Sequence, residues 1–414
     1  MPFTQDTRVA QDALKRTLSD QVDFIAAQIL DRKQEVKEAG LLGGKAGIAL
    51  LFAYLAKAFP AKDYLQHTLD YLDELSNALA NEELNYSMSS GVAGIAFVFQ
   101  HLRNIGLLDP DEDLNLSELD AFIASGAEVD FKSGNWDPLH GLTGLGIYFL
   151  ERHTETGDPK YLEKIVDNLA LMRTETGDAK VWITPGYEKV SNDNYNFGTA
   201  HGMPGVLAFL AQVYSRGIRQ QVIPEMMTSA FRFLLPYELT DDTYCFPTAV
   251  EVAEQKKQDA PFSRLGWCYG DLCMAFALLH CGLALENTAW QTKGIDIAIK
   301  TTRRTFENSG CNDAPFCHGT FGLVHLYQRL YGRTGNAVFN AAAEKWLEIT
   351  RREFYKPGEG AGGYYFRTFQ EDANIFEMIP HYSLLEGSAG IGLVQLSLVT
   401  DLKPDWDIIF LSNV

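Results

Sequence analysis

No stretch of this chain stays apolar for the roughly 18 residues a bilayer crossing requires, so a membrane span is not expected. The opening MPFTQDTRVAQDALKRT lacks the apolar core of a secretory signal. Cysteine is scarce, six residues in 414, which does not suggest a disulfide framework; reduced thiols in a cytoplasmic protein are the expectation. Basic residues are also in deficit, 35 lysines and arginines against 54 aspartates and glutamates. The net charge of −19 argues against non-specific binding to nucleic acid, which needs cations to neutralise phosphates. What remains is a chain with 46% hydrophobic residues, enough to bury a large core. Length alone would allow about two or three domains.

Against these absences stands a repeat. Gly-x-x-Gly leading into an apolar run occurs as GKAGIALLFAYL from Gly44, GVAGIAFVFQHL from Gly91, GLTGLGIYFL from Gly141 and GMPGVLAFLAQVY from Gly202. It returns as GTFGLVHLYQRLY from Gly319 and GSAGIGLVQL from Gly387, and GDLCMAFALL from Gly270 carries Cys273 in place of the second glycine. Between the copies lie amphipathic stretches such as YLQHTLDYLDELSNAL, with apolar residues at three- and four-residue spacing. Each unit reads as an outer amphipathic helix, a loop, and an inner helix that is apolar on nearly every side. Glycines in a first turn let helix ends crowd together and leave backbone N–H groups pointing at the centre. An open solenoid fits this period, and so does a closed ring.

The polar residues favour the ring. Aligned on the first glycine, the residues just before it are Gly43, Ser90, His140, His201, Tyr269, His318 and Glu386. One position further back stand Leu42, Ser89, Leu139, Ala200, Cys268, Cys317 and Leu385. Asp137 lies four before its glycine and Arg264 six before its own. A closed ring of seven hairpins aims all these loops at one axis, and brings Cys268 and Cys317 together from adjacent units. The expected fold is therefore all-α: an α/α toroid, a double-layered barrel of seven helical hairpins, forming a single domain over 1–414.

Cys268, Cys317 and His318 make a three-donor set, the pattern of catalytic zinc sites that keep a position open. A cysteine behind a tryptophan is also an ordinary small buried hydrophobe. His201 shares their level and is a candidate for moving protons. Asp137 could orient a neighbouring histidine or make a turn before Pro138, and Arg264 could stabilise an oxyanion or sit in a surface salt bridge. Tyr269 could donate a hydrogen bond or pack, and Glu386 suits its helix dipole. Cys273 and Cys281 read as core; Cys245 and Cys311 fit no register.

WCYG from Trp267, CHG from Cys317, HGMPG from His201 and the glycine series, in this order, resemble the lanthionine synthetase C-like family from about Gly43 to Thr400. The resemblance implies an α/α toroid with one Zn²⁺ per chain, held by Cys268, Cys317 and His318, and a catalytic group of His201, Asp137, Arg264 and Tyr269. It implies a cyclase that adds cysteine thiols of a precursor peptide (leader plus core) to dehydroalanine or dehydrobutyrine. A dehydratase and export machinery are the implied partners, and the free-standing form is expected. His140 departs from the family, where an acidic residue is often found. Three rivals use the same features: addition of a small thiol such as glutathione, a zinc-containing peptide-binding scaffold, and an α/α-barrel glycosidase, which needs paired carboxylates. Val181–Gly198 reads as strand and turn, too short for a separate domain.

Overall fold

The computed structural model describes residues 5–109, 114–186, 192–254, 262–370 and 373–414. Among them the helices are, in chain order, α1 (Gln5–Asp31), α2 (Lys45–Ala58), α3 (Tyr64–Asn81), α4 (Val92–Asn104), α5 (Leu116–Ser133), α6 (Leu142–Thr156), α7 (Lys160–Leu171) and α8 (Met203–Ser215). They continue as α9 (Ile223–Leu234), α10 (Asp271–Ala284), α11 (Thr288–Thr301), the single turn α12 (Phe306–Ser309), α13 (Thr320–Thr334), α14 (Ala337–Glu353) and α15 (Ser388–Val399).

The glycine-led runs are α2, α4, α6, α8, α10, α13 and α15, and in each the first glycine is the N-cap. The second glycine has a steric cause. A Cβ on Gly47, Gly94, Gly144, Gly205, Gly322 or Gly390 would collide with the carbonyl six residues upstream, where the loop folds back over the first turn. Cys273 meets the same requirement differently: its thiol donates to the carbonyl of Trp267, also six back, at 3.2 Å. Carbonyls seven back accept the first N–H of α2, α4, α6, α13 and α15. The expectation of bare N–H groups aimed at the centre fails for these five helices, because their own loops satisfy them first.

Every residue of α2 from Ala46 to Ala56 is buried, whereas α3 buries only the stripe Tyr64, Thr68, Tyr71, Leu72, Leu75 and Ala78. That contrast separates an inner from an outer layer. Inner helices neighbour one another from α2 through α4, α6 and α8 to α10; α13 then packs on α15, and α15 returns to α2. The ring is closed. Sequence reading paired each outer helix with the inner helix after it, but α2 packs chiefly on α3, α10 on α11 and α13 on α14. Apart from the 11 residues between α4 and α5, links from inner to outer helix are two to seven residues long, which forces antiparallel neighbours. The long loops run the other way and carry the site. α1, with no inner helix before it, packs on α15.

The axis is filled by the last turn, a 3₁₀ helix at Asp405–Phe410. It touches inner helices from several parts of the ring. Asp407 bonds His325 at 2.8 Å and Arg329 at 2.9 Å, His280 donates to the carbonyl of Leu411 at 3.0 Å, and Gln212 donates to Asn413 at 3.0 Å. Trp406 and Phe410 are fully buried there.

Three antiparallel ribbons decorate the ring: β1 (Thr174–Thr176) with β2 (Ala179–Val181), β3 (Asn194–Asn196) with β4 (Ala249–Glu251), and β5 (Phe366–Gln370) with β6 (Ile375–Ile379). Tyr195 pairs with Val250, and Phe369 with Phe376. The strand-like segment 181–198 thus holds the end of β2 and all of β3; its residues 187–191 lie outside the described ones. No helix among the described residues is long and apolar enough to cross a membrane.

Candidate metal centre

All seven residues that precede the glycines line one cavity of about 490 Å³: Gly43, Ser90, His140, His201, Tyr269, His318 and Glu386. The register read from sequence is a physical level. Beneath it the residues one position back are tied to one another by backbone hydrogen bonds. Ala200 N–H donates to Cys268, Cys268 to Cys317, Cys317 to Leu385, Leu385 to Leu42 and Leu42 to Ser89, at 2.9–3.2 Å. Five of seven links of a circlet are therefore made. Among the described residues the links to and from Leu139 are missing, and its N–H turns to Asp137 Oδ1 at 2.7 Å.

Cys268 and Cys317 sit side by side in the circlet, with 5% and 9% of their surface exposed. Their sulfurs and a ring nitrogen of His318 lie within 4.8 Å of one another. No fourth His, Cys, Asp or Glu joins them among the described residues. The hydrogen bond from Cys317 holds the Cys268 thiol well below the ordinary range against the cost of burial, helped by His318 and Arg264. The same bond, with burial, drives Cys317 well above it. Two buried sulfurs competing for one proton are a set that a divalent cation satisfies. The other thiols differ: burial pushes Cys245, Cys273 and Cys311 up to about 12, and Cys281 well above its usual value, so they are inert hydrophobes.

Asp313 was missed by sequence reasoning. It is buried, with Oδ2 3.8 Å from Nε2 of His318 and accepting the Arg367 N–H at 3.2 Å. Its Oδ1 is buried with no hydrogen-bond partner. A signal existed: six before the first glycine stand Glu38, Asn85, Asn135, Asn196, Arg264, Asp313 and His381, polar in every unit. Several brace the loops, as where Asn135 donates to the carbonyl of His140 at 3.2 Å and Asn196 to the Tyr269 hydroxyl at 3.4 Å.

His201 Nδ1 meets Asp137 Oδ2 at 2.7 Å. Burial pulls His201 down, but the Asp137 hydrogen bond and charge, with Cys268, outweigh it and hold the ring above the ordinary imidazole range. Both readings of Asp137 hold, since its Oδ1 also accepts the N–H groups of Leu139 and His140 and so makes the turn. With both oxygens engaged it does not offer half of a glycosidase pair. Arg264 lines the ring cavity with Tyr269, whose ring lies 6.2 Å from that of His201. Ser89 Oγ meets His140 Nδ1 at 2.8 Å.

A second cavity of about 700 Å³ adjoins the first, walled by Asn135, Trp136 and the inserted Thr184, Pro185, Asn194 and Asn196. His140, His201 and Tyr269 line both cavities.

The sequence matches the family described as lanthionine synthetase C-like protein over residues 35–411. Nisin biosynthesis protein NisC of Lactococcus lactis subsp. lactis is 25% identical over 371 residues, 81% of this chain and 87% of its own length. The solved structure of nisin cyclase shares the fold with a TM-score of 0.76 and 22% identity, over 96% of this chain and 98% of that one. Toroid, glycine register and these matches agree: the chain belongs to the lanthionine synthetase C-like family.

Proposed function

We propose that this chain is a zinc-dependent peptide cyclase. It joins cysteine thiols of a dehydrated precursor peptide to dehydroalanine or dehydrobutyrine, forming lanthionine and methyllanthionine thioethers. The observation that carries the reading is the cavity in which three metal donors, with no fourth among the described residues, share a wall with His201, whose partner Asp137 lines the adjoining cavity. Family membership and the likeness to a protein named as a nisin cyclase support the peptide chemistry.

Cys268, Cys317 and His318 fit zinc by donor type and by their unresolved proton, and Asp313 would steady His318 from behind. When bound, zinc supplies the Lewis acidity that keeps a substrate thiol ionised and nucleophilic. The thiolate then attacks the β-carbon; the C–S bond forms as the alkene electrons move to the neighbouring amide oxygen. Arg264 and Tyr269, donors on the cavity wall, stabilise that developing enolate. His201, kept protonated by Asp137, delivers a proton to the α-carbon. The larger adjoining cavity suits a peptide better than a small thiol such as glutathione. A dehydratase that prepares the substrate and an exporter that removes the product complete the expected set of partners.

Cyclisation leaves the mass of the peptide unchanged, so the test is thiol alkylation followed by mass spectrometry. A dehydrated peptide incubated with the protein should lose alkylatable thiols, and added glutathione should not appear as an adduct. Thiols equally reactive with and without the protein would sink the reading.

A further inference from the structure

The two breaks in the backbone circlet flank Leu139, and a side-chain pair spans each of them. Where Ser89 fails to reach Leu139, its hydroxyl meets His140 Nδ1 at 2.8 Å. Where Leu139 fails to reach Ala200, Asp137 holds His201 Nδ1 at 2.7 Å. The imidazole rings stack with centroids 5.6 Å apart and 23° between planes. Both line the ring cavity and its neighbour, so they stand where a thiol from one side would meet an alkene from the other. Neither Nε2 has a hydrogen-bond partner among the described residues.

The partners differ in kind. A carboxylate only accepts, so Asp137 favours the imidazolium form of His201. A hydroxyl can accept from Nδ1–H without asking the ring to be charged, which leaves Nε2 of a neutral His140 free to act as a base. Two stacked rings held by unlike partners are a paired acid and base.

We propose that His140, held at Nδ1 by Ser89, is a second catalytic residue: its Nε2 takes the proton of the attacking thiol, while His201 supplies the proton to the α-carbon. This rests on the cyclase reading. The balance closes without a co-reactant. The S–H bond breaks to His140, the C–S bond forms, the alkene electrons become the enolate, and the His201 proton makes the new C–H bond. His140 then carries one proton and His201 lacks one; exchange through solvent at the mouth restores both. Facing His140 are Asp137 from its own loop, His201 from the loop before α8 and Ser89 from the loop before α4, with Arg264 and Glu386 on the same cavity wall. Burial, with the His201 charge, lowers His140 below the ordinary imidazole range against the pull of Asp137, which suits a base that is neutral at neutral pH.

The test compares two dehydrated peptides, one with cysteine and one with selenocysteine as nucleophile, because a selenol is already ionised at neutral pH. With cysteine, His140→Gln should slow catalysed ring formation by about 10² to 10⁴ and remove the acidic limb of the pH–rate profile. With selenocysteine, after subtraction of the unaided rate, it should return close to wild type. His201→Asn should be slow with both peptides, and Ser89→Ala should repeat the His140→Gln pattern more weakly. Zinc content and melting temperature, followed in parallel, separate this from misfolding; a conservative His140→Asn serves if His140→Gln folds poorly. An unchanged rate in His140→Gln, or an equal loss with both nucleophiles, overturns the assignment. A wild-type protein that cyclises neither peptide overturns the cyclase reading itself.

Discussion

Truncating Phe410 to alanine should weaken the fold and the metal site together. Phe410 is fully buried on the axis, stacked on Phe316 at 4.1 Å and edge-on to Trp267 at 5.0 Å; its carbonyl accepts the Trp267 indole N–H at 2.7 Å. Removing a buried phenylalanine side chain costs about 3–5 kcal/mol through lost transfer energy and the cavity left behind. Two aromatic pairs, each worth about 0.5–1.5 kcal/mol beyond burial, place this site toward the upper end. Trp267 and Phe316 directly precede Cys268 and Cys317, so the lost support acts on both thiols. Groups that position metal ligands from behind typically change affinity by 10- to 100-fold, and about tenfold weaker zinc binding is expected. Denaturant unfolding measures the first quantity, and competition with a chromophoric chelator the second. Phe339→Ala is the control: equally buried, but on outer helix α14. The reasoning is refuted if both variants lose similar stability and neither loses zinc affinity.

Elemental analysis should find about one zinc per chain, by the logic of three-ligand catalytic sites, and Cys268→Ala or Cys317→Ala should abolish it. His201→Asn should keep its zinc while ring formation falls by about 10² to 10⁴; loss of metal would make His201 a ligand. Asp137→Asn removes the charge that holds His201 above the ordinary imidazole range. The alkaline limb of the pH–rate profile should therefore move to lower pH, and an unmoved limb would dissociate the pair. Gly322→Ala drives a Cβ into the carbonyl of Phe316 and should destabilise by about 1–3 kcal/mol. Gly332→Ala, in open space on the same helix, should stabilise by about 0.5–1 kcal/mol in the same unfolding assay.

The ring was legible because its signature is forced. A carbonyl folded over each first turn leaves room for no side chain at the second glycine, and the one exception, Cys273, makes a hydrogen bond to that carbonyl. Register then predicted which side chains share a cavity, and His140, His201, Tyr269 and His318 do. Partnership between layers was not legible, since α3 shows the same apolar stripe whether it packs on α2 or α4. Only the shortness of the α2–α3 link decides. The plug was missed because DWDIIF is too short to show a period, and its burial depends on a hole that exists only after closure. Asp313 was hidden by its neighbour: Cys317 and His318 drew attention to the glycine, while the recurring polar position six residues back passed unread.

The hydrogen bond from Leu385 to Leu42 joins the two ends of the circlet across most of the chain's length. Contacts that far apart in sequence are reached late, because the loop they close is long. A chain leaving the ribosome therefore exposes Cys268, Cys317 and His318 before the ring around them can shut. During that interval the thiols face the solvent without their protein wall, open to oxidation and to any soft cation nearby. On the proposed zinc reading, the order of synthesis would make metal acquisition a problem of timing: an ion captured before closure would be sealed in, whereas one arriving afterwards would have to enter through the cavity.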